Sequence, residues 1–114
     1  MVGIDIVTIS RIEKMIQRFG DKALHKFLSK KEIKLSKKIS TIAGFWAAKE
    51  AASKAIGTGI GQHCSFKDIK ITKNKKGQPF LRYKKRLRLK FKINNSSLSI
   101  SHDGNFAIAV VINT

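Results

Sequence analysis

Trp46-Ala47-Ala48-Lys49-Glu50-Ala51-Ala52-Ser53-Lys54-Ala55 is the stretch on which the fold turns. Alanine is the best helix former, and this run holds no proline, glycine or β-branched residue. It predicts a helix over about residues 41–56, stopped by Gly57. Its alanines suit close packing of the helix on a sheet. Glu50, Ser53 and Lys54 stand at i, i+3 and i+4, so the spacing places a carboxylate, a hydroxyl and an ammonium on one face. Two readings stay open. One is an ordinary Glu–Lys helix pair, contributing about 0.3–0.5 kcal/mol. The other is a phosphate clamp beside a metal-binding carboxylate. Gly57-Thr58-Gly59-Ile60-Gly61 follows a helix and lacks the Walker lysine pattern, so it reads as a helix stop and loop.

Outward toward the N-terminus, Met1–Val7 is rich in Val and Ile and reads as a strand. Thr8 or Ser10 is placed to cap the next helix. Ile9, Ile12, Met15, Ile16 and Phe19 give that helix an apolar face, with Arg11, Lys14 and Arg18 on its other sides, and Gly20 ends it. Leu24, Phe27 and Leu28 suggest a short helical piece, and Ser29-Lys30-Lys31-Glu32 is a capping-box pattern opening another.

Outward toward the C-terminus, the period shifts to about two. Phe66–Thr72 and Phe80–Tyr83 read as strands around a turn at Asn74-Lys75-Lys76-Gly77. Arg86–Ile93 alternates like a strand with one basic face, yet Tyr83, Leu87 and Phe91 also lie four apart, as in a helix. Leu98–His102 alternates, Asp103-Gly104 signals a hairpin turn, and Asn105–Ile112 is the return strand. The run Phe106–Ile112 has no polar face and therefore predicts burial on both sides. A chain of 114 residues can hardly cover both faces alone, which predicts an oligomer. The expected architecture is α+β: one domain over 1–114, with an antiparallel sheet packed by helices around a long central helix.

Lysine plus arginine number 24 against 7 acids, a formal charge of +17. That surplus predicts an acidic partner of some kind without choosing it. The longest apolar runs fall far short of the roughly 20 residues of a membrane helix. The first residues lack a basic stretch and carry an acid early, unlike a signal peptide. Cys64 is the single cysteine, which leaves no internal disulfide and no multi-cysteine zinc site. A cytoplasmic protein is the expectation.

Scarcity makes the acids informative. Glu13, Asp21, Glu32, Asp68 and Asp103 stand among polar or basic neighbours and read as solvated charges. Asp5 and Glu50 stand in apolar segments, where a carboxylate must be hydrogen-bonded, paired, metal-bound or neutralised. Two such carboxylates with few soft ligands suit magnesium; pairing with lysine is the plainer reading. His102 lies on the face of Leu98 and Ile100 at the hairpin mouth, and either binds phosphate, moves protons or simply ends the strand. His25 and His63 read as surface residues. The basic run Lys84–Lys92 suits a solvated face or a nucleic-acid backbone, and a basic nucleic-acid-binding module without catalytic activity is the competing function.

Taken together and in order, three motifs closely resemble the holo-acyl-carrier-protein synthases, the small bacterial phosphopantetheinyl transferases. The first is Gly3-Ile4-Asp5-Ile6-Val7 followed by Arg11-Ile12. The second is Trp46–Ala55 with Gly57–Gly61. The third is Ser99-Ile100-Ser101-His102 followed by Ala107–Val111. Phe66–Ile71 and Gly77-Gln78-Pro79 extend the match over nearly the whole chain. The resemblance implies the phosphopantetheinyl transferase fold, a homotrimer with active sites at subunit interfaces, and transfer of 4′-phosphopantetheine from coenzyme A to a serine of apo-acyl carrier protein, with release of adenosine 3′,5′-bisphosphate.

Carried over residue by residue, Asp5 and Glu50 would bind Mg2+ and, with Lys54, form the catalytic set. Ser53, Lys54, Gly57 and His102 would contact coenzyme A, His102 from a neighbouring subunit. Arg11, Lys14 and Arg18 would dock the acidic carrier protein. The resemblance implies no membrane and no specific nucleic acid as partners. Many family members carry arginine where this chain has Phe45, so one phosphate contact must come from elsewhere. The family also has a short helix where Arg86–Ile93 alternates.

Overall fold

Helix α4 (Ile39–Ala55) lies across a three-stranded antiparallel sheet, and this packing organises everything else. The computed structural model describes residues Met1–Thr114. The sheet has the order β1 (Val2–Thr8), β5 (Phe106–Asn113), β4 (Ser96–Asp103). Between β1 and α4 run three short helices, α1 (Ile9–Phe19), α2 (Asp21–Phe27) and α3 (Lys30–Leu35). A second, two-stranded sheet pairs β2 (Ile69–Lys73) with β3 (Pro79–Tyr83), and α5 (Lys85–Phe91) leads on to β4. The expected α+β class with antiparallel sheets and a long central helix is what the chain forms.

The alanine-rich helix sits on the sheet because both surfaces are slim. Ala47, Ala48, Ala51 and Ala52 are fully buried against Ala107, Ala109 and Val111 of β5. A Cβ on Gly3 would stand 1.9 Å from the Ala51 carbonyl oxygen and 2.6 Å from the Ala55 nitrogen, so only glycine permits this approach of β1 to α4. Gly44 plays the same part nearer the start of α4, where a Cβ would meet Ile100 Cγ2 at 2.8 Å. The Tyr83 hydroxyl ties the layers together. It donates to the Ala52 carbonyl at 2.8 Å and accepts from Asn113 Nδ2 at 2.9 Å. Burial raises its pKa to about 12.

Several expectations are corrected. Neither Thr8 nor Ser10 caps α1 with its side chain. Asn105, from the β4–β5 turn, does so from a distance: its Oδ1 accepts from the Ser10 nitrogen at 3.0 Å and its carbonyl from the Ile9 nitrogen at 2.8 Å. The segment read as a strand from Phe66 opens with a 3-10 turn, Phe66–Asp68, before β2 begins. The alternating Arg86–Ile93 run is mostly helical, as the family resemblance implies and against its strand-like alternation. Leu87 plugs into the core, and Lys92 closes α5 in the left-handed conformation at φ +55.

Two acids read as solvated are buried. Glu32 and Asp68 are 2% and 5% exposed. Glu32 completes the capping box at Ser29, and it also receives Lys49 Nζ at 2.7 Å and the Ile71 nitrogen at 2.8 Å. Asp68 accepts from the Ser65 nitrogen and pairs with Lys84 and Arg86. Burial would raise the Asp68 pKa, but these partners outweigh it and hold the carboxyl below its ordinary value.

Strand β5 is buried on one face only. Ala107, Ala109 and Val111 face α4, while Phe106 and Ile112 on the other face stand about half exposed. On the same face of β1, Ile4 and Ile6, paired with Val110 and Ile108, are 54% and 59% exposed. The outer side of this sheet is thus an open apolar surface in the single chain.

Candidate active site

Alternation along β1 and its register with β5 put Gly3, Asp5 and Val7 on the side facing α4. Gly3 lets the helix descend, and Asp5 is thereby carried beside the helix face bearing Glu50 and Lys54. Lys54 Nζ donates to Asp5 Oδ1 at 2.8 Å and to the Ile4 carbonyl at 3.3 Å. The helical Glu–Lys pair that the spacing suggested is therefore replaced by a pair between helix and strand. The hydrogen bond to Asp5 raises the Lys54 pKa, so its ammonium is firmly charged.

Glu50 is half-buried, and its carboxylate forms no ion pair and accepts no hydrogen bond from the protein. Burial raises its pKa, and the nearby negative charge of Asp5 raises it further; Lys54 and Arg11 oppose the shift. The site is thus a pair of neighbouring carboxylates, one underpartnered, flanked by a fixed cation. Such a donor set fits a hard divalent cation, which relieves the repulsion between the acids and takes its remaining ligands from water or phosphate. No group of three or more His, Cys, Asp or Glu side chains assembles anywhere in the chain, this site included, so the protein itself offers such a cation only two carboxylates.

The other expected residues divide. Ser53 is fully buried and its hydroxyl donates to the Glu50 carbonyl at 2.7 Å, so it braces the helix at the site instead of standing open beside Lys54. Gly57 is exposed and terminates α4 at φ +81, a conformation that favours glycine. Backbone nitrogens of Thr58 and Gly59 close back onto the Ser53 carbonyl at 3.2 and 3.1 Å. Arg11, Lys14 and Arg18 are all exposed on α1, and the Arg11 guanidinium lies 5.7 Å from the centroid of the Trp46 ring.

His102 is not brought to the carboxylates within one chain. It stands on β4, two strands from Asp5, and two residues further along the sheet. It lines a cleft of about 210 Å3 with Thr41, Phe45, Lys73, Gly77 and Pro79. Phe45, where the resemblance implies arginine in many family members, is buried, and Lys73 Nζ lies 5.6 Å from its ring centroid. A cation therefore stands at that cleft after all, supplied by β2. Lys73 was invisible to motif reading because it lies outside the three motifs; only the fold brings it to α4.

The 4′-phosphopantetheinyl transferase superfamily matches residues 1–111. The chain belongs to this superfamily. Among the most similar relatives of the transferase is the holo-[acyl-carrier-protein] synthase of Aliarcobacter butzleri, 62% identical over 99% of this chain and 96% of that protein. Among solved structures, the Helicobacter pylori holo-[acyl-carrier-protein] synthase in complex with coenzyme A is 53% identical. It covers 100% of both chains with a TM-score of 0.97. The Neisseria meningitidis enzyme is 31% identical, covers 99% of this chain and 96% of that one, and has a TM-score of 0.89. Transferases of this superfamily thus share the fold of this chain from end to end.

Proposed function

We infer that this chain is a holo-acyl-carrier-protein synthase. It moves 4′-phosphopantetheine from coenzyme A to a serine hydroxyl of apo-acyl carrier protein and releases adenosine 3′,5′-bisphosphate. The observation that carries this reading is the convergence of Asp5, Glu50 and Lys54, from two separate motifs, in a chain that matches a coenzyme A-bound synthase over its whole length.

Asp5 and Glu50 would hold a magnesium ion, for which neighbouring carboxylate oxygens are suited. When bound, the ion neutralises phosphate charge and makes the phosphorus more electrophilic. Lys54, fixed by Asp5, faces the pyrophosphate and stabilises the charge that builds on the leaving phosphate. Glu50 or a water beside it accepts the serine proton. Ser53 holds the turn of helix that presents Glu50 and Lys54. Gly57 opens the end of α4 to coenzyme A.

The distance of His102 from the carboxylates within one chain favours its service to a neighbouring subunit. The open apolar face of β1 and β5 is the natural contact for a homotrimer whose active sites lie between subunits. Arg11, Lys14 and Arg18 supply a basic surface for the acidic carrier protein. Residues 1–114 act as a single transferase domain in the cytoplasm; no helix is long and apolar enough to cross a membrane. A purely nucleic-acid-binding module leaves the Asp5–Lys54–Glu50 arrangement without a use.

The test is direct. The protein is incubated with coenzyme A, magnesium and apo-acyl carrier protein, and adenosine 3′,5′-bisphosphate is assayed by chromatography. Release that requires both carrier protein and magnesium is expected. Absence of release across several carriers rejects the function.

A further inference from the structure

The basic residues left over from the transfer site are not scattered. Strands β2 and β3 turn Ile69, Ile71, Leu81 and Tyr83 inward, and the opposite face of the hairpin carries Lys70, Thr72, Phe80 and Arg82. All four line a cleft of about 550 Å3, together with Arg88 of α5 and Asn94. No acid lines it. It shares no residue with the cleft beside His102 or with the Asp5–Glu50–Lys54 site.

Three features suit a ligand. First, Lys70 and Arg82 are direct cross-strand partners. Like charges opposite one another destabilise a strand pair, and neither has an acid within ion-pair distance. An anion between them would reverse that repulsion. Second, Arg88 is half-buried and held in place, its Nη1 donating to the Tyr83 carbonyl at 2.6 Å. Its position is therefore set before anything binds. Third, Phe80 is 47% exposed beside these cations, directly opposite Thr72. An exposed ring next to cations offers a stacking platform for a base whose phosphates the cations hold. The volume lies within the range of small-ligand pockets.

We propose that the cleft between the outer face of β2–β3 and Arg88 is a second binding site that takes a nucleotide, with phosphates on Lys70, Arg82 and Arg88 and the base on Phe80. This site is separate from the transfer chemistry and gives part of the excess positive charge a use.

The test titrates the full-length protein with adenosine diphosphate by calorimetry, with magnesium and saturating coenzyme A present so that the transfer site is filled. Inorganic pyrophosphate is the ringless control. Adenosine diphosphate is expected to bind the coenzyme A-saturated protein. Arg82→Glu should weaken both ligands by about tenfold or more through loss of a charged phosphate contact. Phe80→Ala should weaken adenosine diphosphate by about fivefold or more and leave pyrophosphate unchanged. Without nucleotide, Arg82→Glu should melt no lower than the parent, because a carboxylate then faces Lys70, and its transfer activity should be unchanged. Adenosine diphosphate binding that is absent, or undiminished by Arg82→Glu, overturns the site. Equal binding of pyrophosphate and adenosine diphosphate with no effect of Phe80→Ala overturns the nucleotide assignment, as does binding confined to single-stranded oligonucleotides. The Arg82→Glu comparison reads this cleft alone, so it can fail while carrier modification stands, and the reverse.

Discussion

Glu50 is kept at some expense to the fold. Its pKa is raised by burial and by Asp5, so between the ordinary carboxylate value and the raised one the native state holds the extra proton. Stability therefore falls as pH rises through that window, and at neutral pH the ionised group works against folding. In metal-free buffer, Glu50→Gln should unfold at a higher denaturant concentration than the parent at pH 7. The difference should shrink as pH falls toward the ordinary carboxylate value and vanish by about pH 3, where both states of the parent are protonated. A variant less stable than the parent at pH 7 contradicts this. The same physics explains what was legible at this scale. Asp5 and Glu50 stood out because their sequence neighbours are apolar. Glu32 and Asp68 did not, because their burial is imposed by distant groups: Lys49 is 17 residues from Glu32 and Ile71 is 39. The capping-box signature at Ser29–Glu32 correctly announced one task of Glu32 and gave no sign of the others.

Among the elements, α4 depends on two contacts that can be broken singly. Gly3→Ala puts a methyl group into the Ala51 carbonyl, with no flexible side chain to yield. Overpacking of this kind destabilises by about 1–3 kcal/mol or more, and the displaced helix would carry Glu50 and Lys54 away from Asp5. Urea denaturation should show the loss, and transfer should fall with it; an unchanged midpoint contradicts the packing. Glu32→Gln breaks the buried pair with Lys49, whose side chain is 1% exposed. Leaving that ammonium uncompensated should destabilise by about 3–5 kcal/mol, read by the same denaturation. The helix α4 itself was plain from its alanines, and the hairpin from Asp103-Gly104. Helix α5 was not plain, because Arg86–Ile93 alternates charged and apolar residues; the spacing of four between Leu87 and Phe91 is the pattern that holds, with Leu87 in the core and Phe91 packed against it. The cap of α1 by Asn105, 95 residues away, had no local signal at all.

For the whole molecule, the apolar run of β5 carried an oligomer's signature, and the single chain leaves one face of it open. Ile6→Lys would place a charge at the centre of that face. If His102 serves a neighbouring subunit's site as proposed, the variant dissociates in sedimentation velocity and loses transfer; a variant that stays assembled and active contradicts this use of the surface. On the proposed function, the surplus of +17 has several uses: α1 for a carrier protein, Lys54 for phosphate, and the hairpin cleft for a nucleotide. The most direct measurement of the central claim is the intact mass of apo-acyl carrier protein after incubation with coenzyme A, magnesium and this protein, run beside Glu50→Gln. The account predicts the mass gain of one phosphopantetheinyl group with the parent and none with the variant. An unmodified carrier with the parent, or full modification with Glu50→Gln, would contradict it.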